Sequence, residues 1–442
     1  MLPPPPTKFQ ETIAMNEEVL TPKIAILGLG YVGLPLACMF SGKYRVTGLD
    51  INPARVDDLN RGIDSNGDLT PGVLAAALGN GMKCTSSLDD ISNCNVYIVT
   101  VPTPVDCYNR PDLQPLLDAS EKIGKVLKPG DTVIYESTVY PGATEEECVP
   151  VLERASGLTF NRDFFVGYSP ERVNPGEYTR PVHKICKIVS GSTPATADFV
   201  ERLYGSVLDA HTHRAPSIKV AEAAKILENT QRDVEIALIN EAAKVFNALG
   251  IDTTDVIEAA STKWNFQKLH PGLVGGHCIG VDPYYLIHKA QVHGVRTPLM
   301  TEARSINDGM SRYVVQRAAS LLAGKGKTIR GANVLLLGFT FKENCRDIRN
   351  TRVFDIYNDL KEEGAEVDIF DPNVDKANVK NTYDIDISTS EDEISEKNYD
   401  LIIQCVCHSV FNDMDLEKYL RKGDAIYDLK GTLNRKLVDE RL

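Results

Sequence analysis

Apolar residues in this chain fall into short continuous runs separated by longer stretches of helical period. Lys23–Leu27, Tyr44–Leu49, Val96–Val101, Thr132–Tyr135 and Phe164–Gly167 read as strands, and all but the second are such runs. They are continuous rather than alternating, which suits strands covered on both faces, and strands that alternate with helices suit a parallel sheet. The first run leads into Gly28-Leu29-Gly30-Tyr31-Val32-Gly33 and a helix to about Gly42. Pro102 and Pro104 stop the third, while Glu136-Ser137-Thr138 and Ser169-Pro170-Glu171 follow the fourth and fifth. Ser217–Leu249 reads as one long helix with Gly250 as its stop, its apolar faces built from Ala221, Ala224, Ile226, Leu227, Val234, Ala237, Leu238 and Val245. At about 1.5 Å per residue it spans roughly 50 Å, enough to join two domains. Pro298–Leu322 is a further helical stretch.

The alternating pattern restarts after Gly331, with predicted strands at Val334–Leu337, Ala365–Phe370, Leu401–Val406 and Ala425–Tyr427. The order of strand, turn, helix and strand ending in aspartate repeats the first half, Asp371 standing where Asp50 stood. The second turn, Gly338-Phe339-Thr340-Phe341-Lys342, has lost two glycines and gained a lysine, so it should hold a different ligand at its strand carboxyl ends. The predicted class is α/β: two Rossmann-like, doubly wound parallel-sheet domains joined by a central helical region with one long helix.

A chain of 442 residues is too long for one core and suits two or three domains. The net charge of −13 argues against nucleic acid or an acidic membrane as partner. No apolar run approaches the roughly 18 residues of a membrane span. Met1–Thr21, with its run Pro3–Pro6, lacks the basic start and apolar core of a signal peptide and reads as a disordered extension, so a cytoplasmic protein is expected. The ten cysteines are then expected to be reduced. Cys405 and Cys407 would share one face of a strand beside His408, and His211 and His213 one face of another, but neither group offers enough ligands for a metal, and none is expected.

Gly28, Gly30 and Gly33 follow an apolar strand and open a helix, and Asp50 ends the next strand. In that context the glycines let the backbone meet a pyrophosphate, and the helix N-terminus supplies amide donors. Asp50 can accept from the ribose hydroxyls and would repel a 2′-phosphate, which favours NAD; Arg55 nearby leaves NADP open. Gly275-Gly276-His277-Cys278-Ile279-Gly280-Val281-Asp282-Pro283 places a thiol among glycines with a carboxylate four residues on. A thiolate there could add to an aldehyde, lose a hydride to NAD, and leave a thioester for water to cleave; a small buried hydrophobe is the rival reading. Lys225 and Asn229 lie one helical turn apart, with Glu222 and Asp233 a turn to either side, and could hold an alkoxide or orient water, or form a solvated stripe. Glu171 at a strand end is a candidate base for hydrolysis, and Thr138 could hold the water. Lys342, Arg346, Asp347 and Arg349 suit a phosphate ligand. Trp264-Asn265-Phe266 and His270-Pro271-Gly272 could line a sugar pocket.

Taken in order, the Gly28 turn, Ser137-Thr138, Pro170-Glu171, Lys225 with Asn229, Gly275–Asp282 and Gly338–Arg349 resemble the nucleotide-sugar 6-dehydrogenase family from Lys23 onward. The resemblance implies a 22–214 NAD-binding domain, a 215–325 central dimerisation region carrying the thiol loop, and a 326–442 UDP-sugar domain. It implies Cys278 as nucleophile, Lys225 and Asp282 at the oxyanion or water, Asn229 and Thr138 assisting, and Glu171 in hydrolysis. The cofactor set it implies is Gly28, Gly30, Tyr31, Val32, Gly33, Asp50, Arg55, Thr103, Ser137, Thr138 and Arg349. The substrate set is Glu171, Arg172, Lys225, Asn229, Lys263, Phe266, Gly272, Gly275, Phe341 and Lys342, with Lys263 placed to reach a neighbouring subunit of a homodimer. UDP-glucose enzymes usually carry a lysine two residues before the aspartate, where this chain has Gly280; the string through Asp282-Pro283-Tyr284-Tyr285-Leu286 is similar to enzymes of UDP-N-acetylhexosamines. The expected reaction is therefore two-step, NAD-dependent oxidation of C6 of UDP-N-acetylglucosamine or its galacto epimer, feeding surface polysaccharides. UDP-glucose and UDP-N-acetylmannosamine are the alternatives within the family. Outside it stand a hydroxyacid dehydrogenase, which stops after one hydride, and a non-catalytic NAD sensor.

Overall fold

The computed structural model describes residues 21–173 and 182–442. The N-terminal extension expected from the sequence lies outside the described residues but for Thr21. The chain forms two compact units. The first takes residues up to Thr103 and Asp112–Lys225, the second Pro104–Pro111 and Ile226–Leu442, so the division falls inside the long helix Ile218–Leu249.

The first unit is built on eight strands: β1 (Lys23–Leu27), β2 (Arg45–Leu49), β3 (Lys83–Thr85), β4 (Val96–Val99), β5 (Thr132–Tyr135), β6 (Phe165–Tyr168), β7 (Lys187–Gly191) and β8 (Thr212–Arg214). Their order is β3-β2-β1-β4-β5-β6-β7-β8, parallel except for β6 against β7. The continuous apolar runs have the expected cause: in β4 and β5 every residue is buried, as a sheet covered on both sides requires. The order reverses at β1, which pairs with β2 on one side and β4 on the other. Ligands of such sheets bind beyond the strand carboxyl ends at that reversal.

The second unit holds β9 (Asn333–Leu337), β10 (Glu366–Phe370), β11 (Tyr399–Gln404), β12 (Leu420–Asp428) and β13 (Glu440–Arg441), all parallel, in the order β10-β9-β11-β12-β13. It repeats the first fold bond for bond at the turn. Gly28 N donates to Leu49 O, and Gly338 N to Phe370 O; Leu29 N donates to the Asp50 carboxylate, and Phe339 N to that of Asp371.

Two local expectations change. Pro298–Leu322 is two helices, Pro298–Asp308 and Met310–Gly324, meeting at Gly309, a residue that weakens a continuous helix. Cys405 and Cys407 do not share a strand face, because β11 ends at Gln404, where the N–H groups of Cys405 and Val406 both turn to Leu337 O. Among the described residues no group of histidine, cysteine and carboxylate side chains could hold a metal ion.

Candidate active site

The glycine turn of the first unit sits between β1 and the helix Gly33–Ser41. Two of its glycines are demanded by the protein itself. Gly28 has φ +93°, and a Cβ on Gly33 would lie 1.9 Å from Gly28 O and 2.4 Å from Thr100 Oγ1. Gly30 differs: a Cβ there would meet nothing within 4 Å, so its bareness leaves space on the outer side of the turn. That space opens on a cavity of about 310 Å³ lined by Leu29, Gly30, Asp50, Asn52, Ala54, Arg55, Asp58, Ser65 and Asn66. Asp50 is held at its edge by the N–H groups of Leu29 and Asn52, 2.8 and 2.9 Å from its two oxygens. A bare glycine, a helix N-terminus and a fixed carboxylate fit the pyrophosphate and ribose of a dinucleotide. Thr103 Oγ1 donates to Thr138 O, and Ser137 Oγ to Val101 O, so these candidates stand together past β4 and β5. A cavity of about 410 Å³ in the second unit, lined by Asn333, Glu366 and Tyr399 among others, lies at strand starts, the wrong end of a parallel sheet for a ligand.

Glu171 follows β6. One carboxylate oxygen accepts from the N–H groups of Arg172 and Val173, and the other lies 3.8 Å from Lys187 Nζ. Arg172 reaches Cys186 O. Lys187, which the sequence reading passed over, is buried between Glu136, Pro170 O and the ring of Tyr204. Glu136 also accepts from Tyr204, and the two bonds account for its carboxylate inside the protein. Burial, with Glu171 nearby, pushes its pKa up even against the pull of Lys187. The only signal in the sequence was a lysine opening an otherwise apolar strand.

On the long helix the four charged or amide residues at one-turn spacing have separate partners. Glu222 accepts from the N–H groups of Gly142 and Thr144. Lys225 is buried, with no hydrogen bond or ion pair among the described residues. Asn229 donates its amide to the Asp282 carboxylate. Asp233 pairs with Arg304. Burial raises the pKa of Glu222 to about 7, against an ordinary value of 4.5. The native state therefore binds more protons than the unfolded one between about pH 4.5 and 7, and stability falls as pH rises through that window. Glu222→Gln should flatten this slope; urea unfolding midpoints at pH 5 and pH 7 measure it, and an unchanged slope in the variant would assign it elsewhere.

The thiol loop belongs wholly to the second unit. Cys278 O accepts from the N–H groups of Val281 and Asp282, so the cysteine caps the turn that opens the helix Asp282–Val292. Cys278 is half-buried, whereas Cys38, Cys84, Cys94, Cys148 and Cys405 are buried and burial pushes all of them well up from the ordinary thiol value. Gly276 has φ +77°, and its Cβ would lie 2.8 Å from the Phe341 ring; a Cβ on Gly275 would lie 2.9 Å from Asn350 O. The glycine pair thus lets the loop press against the turn after β9, and Gly276 and Asn350 exchange N–H and amide bonds with each other's carbonyl groups. His277 meets Phe341 edge-on, with ring centroids 6.4 Å apart. The structure thereby joins Asn229, Asp282, Cys278, Gly275 and Phe341 around one loop, and half-buried Lys342 follows Phe341 in the chain. Arg349 makes a two-bond pair with Asp347. Lys263 and Phe266 lie in an exposed loop, with no hydrogen bond to the thiol loop among the described residues. Lys430, also missed in the sequence, follows β12 with its ammonium against Gly272, where a Cβ would sit 2.5 Å from Nζ. Asp371 and Asp50 part company here: Asp371 is fully buried and bonded to His408, so it braces its turn and cannot serve a ribose.

A glycine-cradled dinucleotide turn, a second parallel fold and a loop thiol at a helix N-terminus define an NAD-dependent oxidoreductase. The chain belongs to the UDP-glucose/GDP-mannose dehydrogenase family: its NAD binding domain matches residues 22–208, its central domain 219–309 and its UDP binding domain 335–435. The chain is 53% identical over 423 residues to a UDP-N-acetyl-D-glucosamine 6-dehydrogenase of Pseudomonas aeruginosa, covering 95% of this chain and 99% of that one. It is 51% identical to the protein of the same description from Salmonella typhi, covering 95% and 98%. Among solved structures, a UDP-D-ManNAc dehydrogenase from Pyrococcus horikoshii superposes with a TM-score of 0.86 at 30% identity, covering 95% of this chain and 98% of that one. Among the described residues no helix is long and apolar enough to cross a membrane.

Proposed function

We propose that the protein oxidises C6 of UDP-N-acetyl-D-glucosamine from alcohol to carboxylate, in the cytoplasm and as a homodimer. The carrying observation is the Cys278 turn, with the Asn229–Asp282 pair beside it, in a chain more than half identical to a relative described by that activity. Two NAD molecules, bound in turn, would each accept one hydride. The chain's own groups do the rest. Lys225 holds the negative charge on the C6 oxygen as its proton leaves. The Cys278 thiolate adds to the aldehyde carbon, which keeps the aldehyde on the protein, and a second oxidation turns that adduct into a thioester. Glu171 takes a proton from the attacking water, assisted by Thr138, Asn229 and Asp282, and the C–S bond breaks to return the thiolate. Gly28, Gly30, Tyr31, Val32, Gly33, Asp50, Arg55, Thr103, Ser137 and Arg349 serve the cofactor. Arg172, Lys263, Phe266, Gly272, Gly275, Phe341 and Lys342 serve the UDP-sugar. The assigned domains are 22–214, 215–325 and 326–442. A panel of UDP-sugars followed by NADH absorbance tests the reading. UDP-N-acetylglucosamine should give two NADH per sugar and turn over faster than UDP-glucose, UDP-N-acetylgalactosamine and UDP-N-acetylmannosamine. One NADH per sugar, or preference for UDP-glucose, would overturn it.

A further inference from the structure

The cavity beyond Gly30 contains one cationic side chain among its lining residues, Arg55. An arginine in that place ordinarily invites the 2′-phosphate of NADP. Here the guanidinium is already ion-paired within the protein. It is only 7% exposed. Its Nη2 lies 2.9 Å from an Asp64 carboxylate oxygen and 3.3 Å from one of Asp68. Nη1 donates to Ser65 Oγ at 3.2 Å, and Nε and Nη2 both point at Leu29 O at 3.4 Å. Every nitrogen of the guanidinium therefore has a protein acceptor. Two carboxylates, 11% and 14% exposed, face its single charge. The other charged groups at the cavity add no attraction for an anion. Asp50 and Asp58 are acidic, and the cation nearest Asp58, Arg61, is an exposed partner of that carboxylate outside the lining.

We propose that Asp64 and Asp68 determine cofactor specificity: by holding Arg55 between two carboxylates they deny a 2′-phosphate the cation in the described lining of the cavity. A phosphate dianion entering this place would meet an arginine already held by two carboxylates, and much of its desolvation would go uncompensated. The free 2′-hydroxyl of NAD needs only an acceptor, which Asp50 supplies. Asp64 and Asp68 lie in the segment between the helix Pro53–Asn60 and the helix Val73–Gly79, so one short segment both walls the cavity and sets its charge.

The inference rests on the NAD reading, and titration of both cofactors into the full-length protein separates the two. NADH and NADPH binding, followed by fluorescence, gives a ratio of dissociation constants. Wild-type protein should bind NADH and disfavour NADPH by about 100-fold or more, as two uncompensated charges in a half-buried cavity imply. In Asp64→Asn/Asp68→Asn the ratio should fall at least about tenfold, with Asp68→Asn alone giving part of that fall. Asp68→Asn removes the more exposed carboxylate and keeps the shape of the segment, so it serves where the double variant folds poorly. A wild-type protein that fails to bind NADH would sink the cofactor reading. Normal NADH binding with an unchanged ratio in folded Asp68→Asn and in the double variant would overturn the clamp.

Discussion

Cys278→Ala is expected to lower formation of the uronate by at least about 10³-fold, because without sulfur the carbon has no covalent partner between its two oxidations. Cys278→Ser should rescue little. A serine hydroxyl, with an ordinary pKa far above that of a thiol, is not ionised by one helix N-terminus. The loss should fall on acid rather than on the first oxidation alone, so quenched reactions of the variant should show traces of aldehyde, or nothing, and no carboxylate. The comparison needs a thiol outside the site, and exposed Cys107 provides it: Cys107→Ala should retain wild-type turnover. Product chromatography beside NADH absorbance reads all three variants. Acid formation by folded Cys278→Ala at more than a tenth of the wild-type rate would remove sulfur from the reaction.

The sequence was most readable where one local pattern has one local cause. Thr132–Tyr135 is an apolar run and is β5, residue for residue; Gly28 and Gly33 are glycines because Thr100 and the turn itself leave no room for a Cβ. The long helix was visible from its period, within one residue of its start. What the period could not give was the partner of each polar residue on it. Glu222, Lys225, Asn229 and Asp233 recur at helical spacing and look like one stripe. Yet Glu222 caps the 142–144 turn and Asp233 meets an arginine 71 residues away. Lys187 with Glu136 and Arg55 with Asp68 were hidden for the same reason, since a charge in a sequence does not announce whether it ends in solvent or against an opposite charge. The metal-like spacing at Cys405 and Cys407 shows the limit from the other side, because it assumed a strand that in fact stops at Gln404, before either cysteine.

The second large effect concerns that distant arginine. Arg304 is 2% exposed and Asp233 fully buried, so neither charge has water to fall back on. Arg304 bonds to Asp233 and Asp308, while Asn307 donates to both the side chain and the backbone carbonyl of Asp233. Asp308 also accepts from Arg352 and from Tyr284, the third residue of the helix that Cys278 opens. Asn240 carries the network into the loop: its amide bonds Gly272 O and Asn307, and it accepts from Gly272 N. Asp233→Ala or Arg304→Met leaves the other charge buried and under-paired, which should cost about 3–5 kcal/mol and lower the thermal midpoint by about 10 °C. Asp233→Leu/Arg304→Met removes both charges and should recover most of that loss, because desolvation of an ion pair consumes much of what its attraction returns. Activity should not follow stability in the double variant. Asp308 and Asn307 each lose one of their partners, so Gly272 and the Tyr284 end of the helix are held less firmly, and turnover should stay below wild type at temperatures where the protein is folded. Scanning calorimetry together with initial rates separates the two effects. A double variant as unstable as the single ones would mean that packing, not unpaired charge, carries the cost, and one that is stable and fully active would free the thiol loop from this network.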